Sequence, residues 1–305
     1  MTNIDLSIVV LNFNSSSYLL RCLNSIKKSY LPNLTIEVIV VDNNSSDGSQ
    51  KILKKTKISE LKFKYILNPD NYGFSKGNNI GVKGASGKYV LFLNPDTYVQ
   101  KDTLKTIYKF MENNSTVGVC CPKLDLPDGT LTSASHRGFP TPWNSFTYFS
   151  GLQKLFPRSK LFSGYTKGWL LDSNKPHEVD AISGGFFFVR RAAAEQVGWW
   201  DEDYFLYGED IDFCYRLKEK GWKVMFLPKV SVLHYHGISS GIKKHSSNLS
   251  LASEKTRLRA LKASTEAMKI FYKKHYQKKY PYLLNVGVLF GVDILNFLRK
   301  RKGLI

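Results

Sequence analysis

The run Tyr89-Val90-Leu91-Phe92-Leu93 stops at Asn94-Pro95, and a carboxylate, Asp96, follows at once. Five apolar residues in a row have the length and composition of a strand buried on both faces, and a proline, with no N–H to give a ladder, ends it. Such a strand belongs to a sheet covered by helices, where ligands bind beyond the carboxyl ends of the strands. An acid placed there can hold a divalent cation against a diphosphate. The same residues can instead form a plain turn, with Asp96 capping the next helix. The segment by itself leaves both readings open.

The unit recurs upstream. Leu6 to Leu11 reads as a first strand, closed by Asn12-Phe13-Asn14-Ser15-Ser16, whose short polar side chains suit a turn and a helix cap. Tyr18, Leu19, Cys22, Leu23 and Ile26 then recur at helical spacing. Thr35 to Val41 is a second strand that stops at Asp42-Asn43-Asn44-Ser45-Ser46-Asp47-Gly48, before a helix around Ile52 and Leu53. With a third strand near Phe63 to Leu67, the alternation predicts a mostly parallel sheet with helices on both faces. Asp42, at the same edge, can accept hydrogen bonds from a ribose hydroxyl or a base N–H, or it can cap a helix. Neither G-x-G-x-x-G after the first strand nor G-x-x-x-x-G-K-[ST] occurs, which argues against a dinucleotide cofactor or a P-loop.

Asn68 to Gly81 begins as a turn yet carries Phe74, Gly77, Ile80 and Gly81 on one helical face, and glycines there imply close packing of that helix. Lys101 to Asn113 is an amphipathic helix, followed by a strand from Val117 to Cys121. Between Pro122 and Asp180 regularity fades into a loop-rich insertion dense in aromatics. These rings either fill a satellite core, stack on sugars or face lipid.

Forty-four Lys and Arg against 25 Asp and Glu give a net charge of +19, which predicts attraction to polyanions. Nucleic acid is one such partner, but a nucleic-acid-binding protein has no use for acids gathered at strand ends. Four cysteines without a C-x-x-C pair, and a start that runs from Met1-Thr2-Asn3 straight into a strand, predict a reduced cytoplasmic protein. The tail from residue 241 to 305 is basic and helical. Its apolar segment Leu283 to Leu298, interrupted by Asn285, Asp293 and Asn296, reads as too short and polar to span a bilayer, which takes roughly 18 apolar residues. Bracketed by Lys and Arg, it suits peripheral contact with the anionic inner face of the cell membrane; a hairpin packed on the domain or a homodimer contact is the alternative.

Taken in order, Asn12 to Asn14, Val40-Val41-Asp42-Asn43-Asn44-Ser45-Ser46-Asp47-Gly48, Asn71-x-Gly73-Phe74 with Asn78-Asn79-x-Gly81, and Leu91-x-x-Asn94-Pro95-Asp96 resemble the inverting glycosyltransferases of family 2. The resemblance covers residues 4 to 240 and implies a GT-A fold over 1–240, with a nucleotide-sugar half (1–121), an acceptor half (122–240) and the 241–305 extension. It implies donor contacts from Asn12, Asn14, Asp42, Asn71, Gly73, Asn79, Asn94 and Asp96, and Mg²⁺ or Mn²⁺ held by Asp96. Asn94 stands where the family's D-x-D motif has its first acid. With Asn71-Tyr72-Gly73-Phe74 and Asn78-Asn79, it looks most like the rhamnosyltransferase branch, which implies a dTDP-L-rhamnose donor and a glycan or polyprenyl-linked glycan acceptor. A UDP-hexose donor is the alternative.

Ser183-Gly184-Gly185 admits close backbone approach before another buried strand. In Glu209-Asp210-Ile211-Asp212, three acids open a helix and favour its macrodipole. Asp212 and Arg216, at i and i+4, form an ion pair, which leaves Asp210 free to point into the cleft. The segment matches the family's acceptor-side acid motif, so the resemblance implies that Asp210 is the base, with Glu209, Asp212 and Arg216 orienting. Val232, His234 and His236 share one strand face. His234, with Gly237 and Ser239, resembles the family's closing histidine segment, which makes it the implied partner of Asp96; His236 is the second choice.

Overall fold

The computed structural model describes residues 4–29, 33–56, 61–235, 237–238, 241–242 and 252–301. The alternation builds β1 (Leu6–Asn12), α1 (Ser16–Lys28), β2 (Ile36–Asp42), α2 (Ser49–Lys55), β3 (Lys62–Leu67), α3 (Gly73–Lys83) and β4 (Tyr89–Leu93). These four strands lie side by side in the order β3-β2-β1-β4, all parallel. Because β1 has β2 on one side and β4 on the other, the carboxyl ends of β1 and β4 flank a crevice. Every residue of β2 and of β4 is buried, so both faces of the sheet are covered. A Cβ on Gly77 would meet Leu11 at 2.5 Å and one on Gly81 would meet Val9 at 2.5 Å, so these glycines let α3 lie directly on β1.

The chain continues through β5 (Thr97–Tyr98), α4 (Thr103–Asn113), β6 (Val117–Asp125), α5 (Pro142–Phe149), α6 (Leu152–Leu155), β7 (His177–Glu178), β8 (Phe186–Arg190), α7 (Arg191–Val197), α8 (Glu209–Glu219) and β9 (Lys223–His234). β8 enters antiparallel between β4 and β6, β9 runs parallel to β6, and β5 and β7 run against β9. β9 is one strand that runs on through Pro228. Its residues paired with β6 jump from Leu227, opposite Pro122, to Ser231, opposite Lys123, across Pro228, which has no N–H for the ladder.

Two helices close the described chain, α9 (Glu254–His275) and α10 (Tyr282–Arg301). α9 packs on the domain, burying Ala260, Ala263, Ala267, Phe271 and Tyr272. α10 corrects an expectation: it takes in Tyr282 and Arg299, and the 18 residues Tyr282–Arg299, with mean hydropathy 1.4, are long and apolar enough to cross a membrane by length and composition. The polar residues that argued otherwise face α9. Asn285 Oδ1 accepts from Tyr272 Oη at 2.6 Å, Asp293 pairs with Lys269, and Asn296 Oδ1 accepts from Thr265 Oγ1 at 3.3 Å.

Candidate functional site

The polar groups beyond β1 and β2 form one network. Asn12 is fully buried, and its amide donates to Asp42 Oδ2 (2.7 Å) and Ser45 Oγ (3.1 Å). Asp42 Oδ1 accepts from the Ser45 N–H (2.9 Å) and from Gln50 Nε2 (3.1 Å). Asp42 does not cap α2, whose first residue follows Gly48 with no side-chain cap. Asn14, at φ +47°, accepts the Ser46 N–H on Oδ1 at 2.8 Å. Asn71 Oδ1 accepts the Gly73 N–H at 2.9 Å, and Asn43 donates to the Gly73 carbonyl at 2.9 Å. Asn12 Oδ1 is buried with no hydrogen bond and is left as an acceptor.

Asn79, whose motif implies a donor contact, makes its hydrogen bonds within the protein. Its amide donates to Trp200 O (2.9 Å) and Glu202 Oε1 (2.9 Å) and accepts from the Trp200 N–H (3.2 Å). It ties α3 to the 200–202 loop.

At the end of β4, Asn94 gives its N–H to Gly185 O (3.0 Å), and Thr97 gives its own to Asn94 O (3.1 Å). Asn94 to Thr97 is therefore a turn, and it is also the sheet edge. Asp96 does not cap α4, which begins only at Thr103. β5 instead pairs Thr97 with His234, and His234 Nε2 lies 3.4 Å from Asp96 Oδ1. Gly185 makes room for the ring, since a Cβ there would meet His234 Cε1 at 2.6 Å. Asp96 Oδ1 is buried without a hydrogen bond, and a carboxylate beside an imidazole is a donor pair that suits Mg²⁺ or Mn²⁺. Among the described residues no group of three or more His, Cys, Asp or Glu side chains gathers. His236 and Ser239 lie outside the described residues.

The acids of α8 are separated by environment. Asp210 is not free: its Oδ2 accepts from Arg137 Nη2 (2.7 Å) and from the Gly184 N–H (3.1 Å), leaving it 9% exposed. Arg137 arrives from beyond β6, carried by a bridge to Ala181, and donates also to Ile182 O at 3.0 Å. Local spacing could not reveal this partner, and an arginine in the stretch Ser135-His136-Arg137-Gly138 was the only signal. Burial, then the charge of Asp210, pushes the Glu209 carboxyl well above its usual range. Asp212 is wholly buried and accepts from Arg216 Nε at 2.7 Å, the expected i, i+4 pair. Its other oxygen meets His275 Nε2 at 2.7 Å, from the end of α9. Burial would raise Asp212, but the His275 hydrogen bond and the Arg216 charge overcome it and hold the carboxyl below its usual range.

Next to Arg137, His136 is buried, with Nδ1 3.0 Å from Thr166 O and Nε2 2.8 Å from His177 Nε2. Burial first, and the neighbouring His177, push its pKa down to about 4. A neutral His136 gives its Nδ1–H to Thr166 O, which leaves its Nε2 as an acceptor toward His177.

A sheet of this order with acids at its carboxyl edge is the GT-A fold. It matches S. aureus TarS in complex with UDP-GlcNAc at TM-score 0.57 and 20% identity, over 94% of this chain and 70% of that one. It also matches the mannosyltransferase PcManGT from Pyrobaculum calidifontis, in complex with GDP-Man and Mn²⁺, at TM-score 0.55 and 15% identity, over 96% of this chain and 86% of that one. Residues 7–198 match the profile of Glycosyl transferase family 2, so the chain belongs to that family and is a glycosyltransferase. Its relatives include the rhamnosyltransferase WbbL of Escherichia coli K12, 27% identical over 66% of this chain and 83% of that protein. Another is the N-acetylglucosaminyl-diphospho-decaprenol L-rhamnosyltransferase of Mycobacterium tuberculosis, 27% identical over 79% of each.

Proposed function

We propose that this glycosyltransferase moves L-rhamnose, with inversion at the anomeric carbon, from dTDP-L-rhamnose to a glycan acceptor borne on a polyprenyl lipid, in the assembly of a cell-surface polysaccharide. One observation carries the chemistry: the Asp210 carboxylate, fixed by Arg137 and the Gly184 N–H, stands at the same glycine corner that packs on His234 beside Asp96. The two rhamnosyltransferase relatives support the donor, and the second is named for a decaprenol-linked acceptor.

In this reading residues 1–121 bind the donor and 122–240 the acceptor. Asn12, Asn14, Asp42, Asn71 and Gly73 form the nucleotide end, with Asn12 Oδ1 an unused acceptor beneath it. Asp210 takes the proton of the acceptor hydroxyl as its oxygen attacks the anomeric carbon. The bond from that carbon to the diphosphate oxygen breaks on the opposite face, and the nucleoside diphosphate leaves with the electron pair. Arg137 supplies Asp210 with its counter-charge and orientation. Burial and its neighbour's charge favour the neutral form of Glu209, which in that form has an O–H to give, while Asp212 and Arg216 fix α8. Asp96, with His234 and Asn94 beside it, would hold Mg²⁺ or Mn²⁺, whose charge offsets that of the leaving diphosphate when bound.

A donor panel scored for released nucleotide tests the reading. The expected result is consumption of dTDP-L-rhamnose ahead of UDP-hexoses, with dTDP binding at least as tightly as UDP in Mg²⁺ and EDTA weakening both. A site that hydrogen-bonds a ribose 2′-hydroxyl penalises its absence, so a clear preference for UDP and turnover of UDP-glucose or UDP-galactose would overturn the donor assignment.

A further inference from the structure

α10 packs Val288 and Leu289 against the core but leaves a second apolar face uncovered. Its Asn285, Asp293 and Asn296 meet α9, while Leu283, Val286, Phe290 and Ile294, at helical spacing, face outward at 83%, 47%, 65% and 43% exposure. A stripe of this kind beside basic residues is the signature of a helix lying in a membrane interface. From Lys273 to Lys302 the chain carries eight Lys and Arg against Asp293 alone.

A second exposed apolar surface lies on α5, α6 and the turn after them. Trp143, Phe146, Phe149, Leu155, Phe156 and Leu161 are 45% to 73% exposed, among Lys154, Arg158 and Lys160. The rings form one patch: Trp143 lies 5.8 Å from Phe146 and 6.2 Å from Phe162, and Phe162 lies 5.1 Å from Phe156. Tyr148 on α5 acts on the charge of Arg299 at the end of α10. This surface also adjoins the acid edge, because Tyr148 meets Tyr165 edge-on at 5.0 Å and the Tyr165 carbonyl accepts the Gly138 N–H beside Arg137.

We propose that the α5–α6 arm and the outward stripe of α10 are two parts of one docking face for a bilayer rich in anionic headgroups. An acceptor anchored in that bilayer would then meet Asp210 without leaving the membrane, a point that rests on the transferase reading; the docking itself does not. α10 lies in the plane of the interface, since crossing the bilayer would break its contacts with Tyr272, Lys269 and Thr265. The occupant is lipid rather than a second copy of the chain, because two copies would bring like-charged basic flanks together.

The test uses the full chain with phosphatidylglycerol or phosphatidylcholine vesicles and no donor, so its failure and that of the transferase reading are separate outcomes. The expected result is binding to phosphatidylglycerol vesicles that weakens in high salt. Phe146→Ser with Phe149→Ser, and Leu283→Ser with Phe290→Ser, should each lose about tenfold or more in affinity. Because all four residues are exposed, the variants should fold. Tryptophan emission should be quenched by brominated lipid in the parent protein and much less so after Trp143→Phe. Arm variants that bind like the parent, or quenching unchanged by Trp143→Phe, would overturn the arm's part. Retention on vesicles in high salt and carbonate would mean that α10 spans. A dimer in solution that the α10 variant converts to monomer, with vesicle binding unchanged, would make the stripe a subunit contact.

Discussion

The two edges of the site are built by different means. The proposed donor edge draws Asn12, Asp42 and Asn71 from the ends of consecutive strand-helix units, and apart from Asn12 Oδ1 its groups are bonded to near neighbours. The acid edge draws Arg137 from 73 residues before Asp210 and His275 from 63 residues after Asp212. One edge is a local consequence of the chain's rhythm, and the other exists only once distant segments have packed. Substitutions at the donor edge should therefore act on binding. Those at the acid edge should act on turnover and on stability together.

The largest expected effect breaks or keeps that division. Asp210→Asn and Arg137→Met should each lower transfer by about a hundredfold or more, with the donor dissociation constant from calorimetry near that of the parent. Equal loss of donor binding would move Asp210 to the donor side. Asp96→Asn should come next, weakening nucleotide binding in Mg²⁺ by about tenfold and leaving EDTA little further effect. Insensitivity of both variant and parent to EDTA would remove the cation from Asp96.

His275→Ala should cost about 2 kcal/mol of stability, read as a lower urea midpoint, because buried Asp212 loses a hydrogen-bonding partner. Asp212 is held below its usual range when folded, so its contribution is present above the unfolded pKa and fades as pH falls through the folded value. The variant should lose part of that acid-side dependence. The smallest effect is at His136. Its folded pKa of about 4 lies below the ordinary 6.5, so the unfolded chain takes up the proton first. Stability should fall by on the order of 1 to 2 kcal/mol as pH drops from 6.5 toward 4. A parent protein with flat stability over that window would show that the buried pair with His177 does not hold in solution.

How much of this was legible follows the same line. Apolar runs such as Tyr89 to Leu93 have one way to be buried, and the Asp212 and Arg216 pair needs only helical periodicity. Arg137 gives no such sign, since its meaning comes from a bridge to Ala181 and a carboxylate on another element. The same holds for Asn79, which sits in a motif pattern yet contacts Trp200 and Glu202. The tail misled by composition: Asn285, Asp293 and Asn296 lower its average hydropathy, but all three sit on the side facing α9.

The clasp between His275 and Asp212 also sets an order of events on the ribosome. α8 leaves the ribosome long before α9, so for that interval Asp212 has Arg216 but not His275, and Tyr215 lacks Phe271, which lies 5.6 Å away in the finished fold. Domains acquire their packing as synthesis proceeds, and this one leaves its acid edge to nearly the last. A nascent chain arrested near residue 253 should then be cut by protease within 200–219, and one arrested beyond α9 should resist; equal resistance would show that the edge closes without its clasp.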